Sequence, residues 1–166
     1  MVLKINSTAS ISNKILRNIY KEHSLKVFMT NIFDMQELRY LNLFEKITKV
    51  NTRHFFRYNN MLVFCVPKML ITKALGKDAE NLKRMSGILG KRIRVVAHPK
   101  DIKDAKKFIQ AIIAPVVFKD LEIREDKIII NAGKMNKASL IGREKARLNE
   151  MKKIISIFFK RDFEIV

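Results

Sequence analysis

Two stretches of this chain, 66 positions apart, follow one pattern: "ALGKDAENLKRM" at residues 74–85 and "LIGREKARLNEM" at residues 140–151. The chain has only five glycines, and one takes the same place in each copy, Gly76 and Gly142. At this offset Leu75, Leu82, Met85, Ile88 and Leu89 match Ile141, Leu148, Met151, Ile154 and Ile155, so all five pairs are apolar. Lys83 with Asn149 and Arg84 with Glu150 differ, and they lie on the opposite side of the helix, where packing imposes nothing. A hairpin turn expected at Asn59 and Asn60 falls over Glu125 and Asp126. A stripe, a glycine and a turn at one offset point to a module built twice.

The elements around the repeat read the same way in both halves. "DMQELRYLNLFEKIT" places Leu38, Leu41, Phe44 and Ile47 at helical intervals, and "VNTRHFFRYNNMLVFCVP" reads as two strands closed by Pro67. A short helix through "KMLITKAL" leads to Gly76, a second runs to Gly90 as its C-cap, and "KRIRVVA" is a last strand. After Pro99 come the helix "IKDAKKFIQAII", strands "VVFKDLEI" and "KIIINA", the helix "KMNKASLI", Gly142, a helix to about Phe159, and the strand "FEIV". The predicted order is α-β-β-α-α-β twice, an α+β fold. Before it, Ile11, Ile15, Leu16, Ile19 and Tyr20 fall on one face of a short helix capped by Ser10. Residues 1–28 read either as a transit segment or as sequence upstream of a start at Met29.

Charge limits what such modules could do. Against 16 acids stand 34 Lys and Arg, a formal net charge of +18, spread as +4, +8 and +6 over residues 1–28, 29–98 and 99–166. The folded body is basic, which suggests a polyanionic partner, nucleic acid or an anionic surface; the alternative is a merely solvated lysine-rich surface. The longest apolar run, "FIQAIIAPVVF", is 11 residues and broken by Gln110 and Pro115, too short to span a bilayer, so no membrane partner is expected. The single Cys65, inside "MLVFCV", fits packing in a reducing, cytoplasmic compartment. His23, His54 and His98 are scattered. No metal site, cofactor, carboxylate pair or activated nucleophile stands out, so no enzyme is expected.

Both glycines sit where one helix ends and another begins. There the unpaired N–H groups and the positive dipole end of the second helix form an anion site, and a glycine lets a phosphate approach without meeting a Cβ. Lys77 in one copy and Arg143 in the other add a charged donor. The plainer alternative is that each glycine only makes a corner between helices.

The α-β-β-α-α-β order with an "(L/I)-G-(K/R)-x-x" corner resembles the type II KH domain, whose three-stranded sheet carries helices on one face. In that domain a G-x-x-G loop holds the backbone of a four-nucleotide single strand. Two tandem copies, with "ELRYLNLFEKIT", "LGKDAENLKRMSGILGKRIRVV" and "FIQAIIAPVVFKDLEI" in this order and spacing, resemble the NusA transcription factors in their short archaeal form. The resemblance implies an N-terminal extension over 1–32, a first KH domain over 33–98 and a second over 99–166. It further implies a monomeric, non-enzymatic factor that binds single-stranded nascent RNA, works with RNA polymerase and affects transcription termination or elongation. The alternative within the same fold is a protein-interaction scaffold on polymerase or ribosome that has lost RNA binding.

On that resemblance the RNA-binding residues are Gly76, Lys77, Asp78, Ala79, Lys83 and Arg84 in the first module, with Gly142, Arg143, Glu144, Lys145 and Arg147 in the second. Ile71, Leu75, Leu140 and Ile141 would line the base groove. The sequence departs from the family pattern at Ala79 and Lys145, where a second glycine is expected, and each loop carries an acid, Asp78 or Glu144. A side chain at that fourth position forces strain if the backbone takes positive φ there.

Overall fold

The computed structural model describes residues 35–166, and the helix expected over residues 11–20 lies outside them. Residues 39–166 form one compact unit. The first module runs α1 (Met35–Thr48), β1 (His54–Tyr58), β2 (Met61–Val66), α2 (Ile71–Leu75), α3 (Glu80–Leu89) and β3 (Arg92–Ala97). The second runs α4 (Ala105–Ile113), β4 (Asp120–Ile123), β5 (Lys127–Asn131), α5 (Gly133–Ile141), α6 (Ala146–Phe159) and β6 (Asp162–Ile165). The fold is α+β, with two three-stranded sheets in the orders β1-β2-β3 and β4-β5-β6. In each, the central strand pairs antiparallel with its hairpin partner and parallel with the last strand.

The hairpins share one register. Arg57 faces Leu62 and Phe56 faces Val63, and 66 residues on Ile123 faces Ile128 and Glu122 faces Ile129. Asn59 and Asn60 both take positive φ, 48° and 58°, the conformation a two-residue hairpin requires and asparagine tolerates. The offset grows from 66 to 70 after α6, which at 14 residues is one turn longer than the 10-residue α3.

In α1 the buried stripe is Tyr40, Phe44 and Thr48, with Leu41 and Ile47 half-buried, whereas Leu38 is exposed. Phe44 stacks on Phe64 of β2, ring centroids 4.3 Å apart. The strand expected over residues 116–123 begins only at Asp120. Before it the chain turns back on α4, with Val116 N–H donating to Ile113 O (3.1 Å) and Gln110 Nε2 donating to Val116 O (2.9 Å).

Strand β2 is buried on both faces. Leu62, Phe64 and Val66 join Tyr40, Phe44, Ala74 and Met85 in the first module's own core. Met61, Val63 and Cys65 join a larger core with Phe108, Ile109 and Ile112 of α4 and Met151, Ile154 and Ile155 of α6. Helices α4 and α6 therefore lie between the two sheets. The extra turn of α6 supplies Phe158, whose ring meets Phe56, His54 and His98 of the first module. This placement also separates two matched positions: Ile154 is 2% exposed, covered from both sides, while Ile88 on the one-sided α3 is 57% exposed. Cys65 is a free, buried thiol, and burial raises its pKa far above the ordinary range.

Candidate nucleic-acid interface

Helix α2 ends with Gly76 N–H donating to Thr72 O (3.0 Å), and α5 ends with Gly142 N–H donating to Ala138 O (3.0 Å). Gly76 then takes φ 72°, ψ −177° and Gly142 φ 72°, ψ 173°, values open to glycine and closed to other residues. Space enforces the same choice. A Cβ at Gly76 would lie 2.8 Å from Asn81 Nδ2, and one at Gly142 would lie 2.9 Å from Arg147 Cγ.

The next residues form a tight turn that sets up α3 and α6. Asp78 and Ala79 take φ 52° and 56°, and Glu144 and Lys145 take φ 50° and 59°. The positive φ anticipated for a residue in place of the second glycine is thus present in both loops, and it extends one residue earlier than expected. Each left-handed non-glycine residue costs roughly 1 kcal/mol, so both loops hold strain that the flanking helices maintain.

The cations at the corners face solvent. Lys77, Lys83 and Arg84 around the first loop and Arg143 and Lys145 in the second are exposed, as are Asp78 and Glu144. Among the described residues none of these five cations has a carboxylate within 4 Å. Each helix start therefore presents free positive charge with one acid beside it.

Arg147 is placed differently from the other expected phosphate donors. It is half-buried, with Nη1 donating to Ser139 O (2.7 Å) and Nε to Asn59 Oδ1 (3.0 Å). Asn81, its counterpart in the first module, donates to Lys73 O (3.3 Å) and Ala74 O (3.2 Å). Lys73 and Ser139 are matched positions, so the residue five beyond each glycine reaches back to the end of the preceding helix and braces the corner. Sequence reading missed this role for Asn81, although a side chain with N–H donors recurs five residues after both glycines. The expected groove residues also divide. Ile71, Leu75 and Ile141 are half-buried beside the loops, but Leu140 is 3% exposed and belongs to the core, as does its counterpart Ala74.

Elsewhere, His54 and His98 lie with ring centroids 4.3 Å apart; burial first, and His98 second, lower the pKa of His54. Among the described residues no group of three His, Cys, Asp or Glu side chains is placed to hold a metal ion. No helix among them is long and apolar enough to cross a membrane.

No protein-family model matches the chain. Over 90 residues, 54% of the chain, it is 30% identical to the "Probable transcription termination protein NusA" of Methanococcus vannielii. That alignment spans half the length of the relative. The crystal structure of APE1850 superposes with a TM-score of 0.58 and 23% identity, covering 80% of this chain and 99% of that one, which is a likeness of fold.

Proposed function

We propose that residues 33–98 and 99–166 are two tandem type II KH domains and that the chain is an RNA-binding factor of the NusA type. It takes single-stranded RNA at two glycine corners, and with RNA polymerase it acts on termination or elongation of transcription. The observation that carries this reading is the pair of corners, each turning at a positive-φ glycine into a helix start flanked by exposed cations that have no carboxylate within 4 Å among the described residues. The partial identity to a protein named for transcription termination supports the role in transcription.

Lys77 and Arg143 contact phosphates first, with Lys83, Arg84 and Lys145 adding charge. The acids Asp78 and Glu144 and the missing second glycines weaken each loop, so binding draws on both. Fluorescence anisotropy with labelled single-stranded RNA over a salt series tests this. Affinity is expected to fall steeply with salt and to drop more than about tenfold on combining Lys77→Glu with Arg143→Glu. If the double reversal leaves affinity and salt dependence unchanged, the corners are not the site and the scaffold reading takes its place.

A further inference from the structure

Where the first sheet meets the end of α4, a cleft of about 90 Å³ opens to solvent, lined by Tyr58, Asn59, Arg92, Arg94, Ser139 and Arg147 among others. Three guanidinium groups share it. Arg94 Nη1 donates to Ala111 O (3.0 Å) and Ile112 O (2.7 Å), the free carbonyls at the end of α4. Arg92 Nη2 donates to Asn59 O (2.8 Å), and Arg147 reaches Asn59 Oδ1 and Ser139 O as described.

These bonds fix the three forks in place without neutralising them, because every acceptor is uncharged. Among the described residues no carboxylate lies within 4 Å of any of the three. The acid beside them, Glu150, is held on Asn59 N–H at 2.8 Å. Burial and, second, the charge of Arg92 hold the pKa of Arg94 below its ordinary value, a sign that like charges are gathered here; arginine remains protonated regardless. Arg92 Nη1, Arg94 Nη2 and Arg147 Nη2 have no hydrogen-bond partner among the described residues. Rigid, un-neutralised guanidinium forks converging on one cleft suit a phosphate, which they can bind through paired donors.

The cleft adjoins the second loop. The stem of Arg147 lies against Gly142, close enough that a methyl group there would clash, while its head reaches the cleft. We infer that the cleft takes a phosphodiester of the strand held at the Gly142 corner, belonging to a nucleotide that flanks the bound ones. This rests on the RNA-binding reading above and extends the bound strand past the second loop toward the first module.

Arg92 is the residue to change, since it is exposed and makes one bond to the turn, whereas Arg94 caps a helix and Arg147 braces the corner. Anisotropy with a 4-nucleotide and a 12-nucleotide single-stranded RNA would compare wild type, R92Q and R92K, each checked for folding by circular dichroism. R92Q is expected to weaken the 12-mer about fivefold and to lower the slope of log affinity against log salt by about 0.7, the value for one lost phosphate contact. The 4-mer, held at a loop alone, should change less than about twofold, and R92K should recover the salt slope. An unchanged slope and 12-mer affinity in R92Q, or an equal loss on both RNAs, would overturn the cleft site and leave the loops standing. Absence of any RNA binding by the wild type would remove both readings together.

Discussion

The face of the first sheet turned away from its own helices carries Phe56, Met61, Val63, Cys65, Arg92 and Arg94. The matched face of the second carries Glu122, Lys127, Ile129, Asn131, Asp162 and Glu164. Backbone register is the same in both, so the difference lies in what each face meets. The first packs on α4 and α6 and is apolar, with its two arginines at the rim of the join. The second bears charged pairs such as Lys127 with Glu164, at 3.1 Å, and Arg124 with Glu122, at 2.8 Å. The same strand order and register occur twice, and what each sheet face meets sets which residues suit it. One consequence is electrostatic. Six of the sixteen acids, Asp120, Glu122, Glu125, Asp126, Asp162 and Glu164, belong to the second sheet and its hairpin, leaving the glycine corners and the cleft predominantly basic.

Exchanging residues at one matched position puts the comparison under the greatest strain. Cys65 is 1% exposed inside the join and Asn131, its counterpart, is exposed. Cys65→Asn would bury an amide with no partner and is expected to cost about 3 kcal/mol in urea unfolding. Asn131→Cys loses the acceptor for Gly133 N–H (3.1 Å) and should cost about 1 kcal/mol. Equal costs would mean that the two faces are alike in solution.

The repeat made most of this fold legible before any coordinates, because apolar positions, turn residues and glycine corners are local signals that packing must respect. Both hairpins, both corners and the paired order of elements follow from them. The join between modules was not legible. "MLVFCV" shows only that a strand is apolar throughout, and nothing in it says that the second cover comes from α4 and α6. The extra turn of α6 looked like a longer helix, and its part in the join emerges only when Phe158 is seen against His54, Phe56 and His98. Among the site residues, exposure could be read for Lys77 and Arg143 beside their glycines. Arg147 and Leu140 could not be assigned, since a helix has several faces and only the neighbouring chain tells which is turned inward.

The two loops invite a milder test. Ala79 and Lys145 hold matched left-handed conformations, so Ala79→Gly and Lys145→Gly each remove strain, partly offset by the greater freedom glycine has when unfolded. Each should raise unfolding stability by about 0.5–1 kcal/mol. RNA affinity separates them: Ala79→Gly is expected to tighten binding, while Lys145→Gly gains access but loses a cation and should change it little. A tightening of equal size in both would show that Lys145 contributes no charge to binding, and the loops would then differ only in bulk.

The smallest expected effect is in pH, and only the first sheet has the groups for it. His54 lies on the face that meets α6, with His98 and Phe158 as ring neighbours, and its pKa in the folded chain is lowered, by burial first and by His98 second. A histidine whose folded pKa is depressed binds its proton more readily when unfolded. Its contribution to stability is therefore present above the ordinary value of about 6.5 and is lost as the pH falls through that value. The matched residue in the second sheet is Asp120, an exposed carboxylic acid in place of the imidazole. Unfolding midpoints measured from pH 7.5 to 5.5 should decline in the wild type and decline less in His54→Gln, with the difference confined to that range. A variant that tracks the wild type throughout would place the acid sensitivity of the fold elsewhere and remove the last distinction drawn between the two sheets.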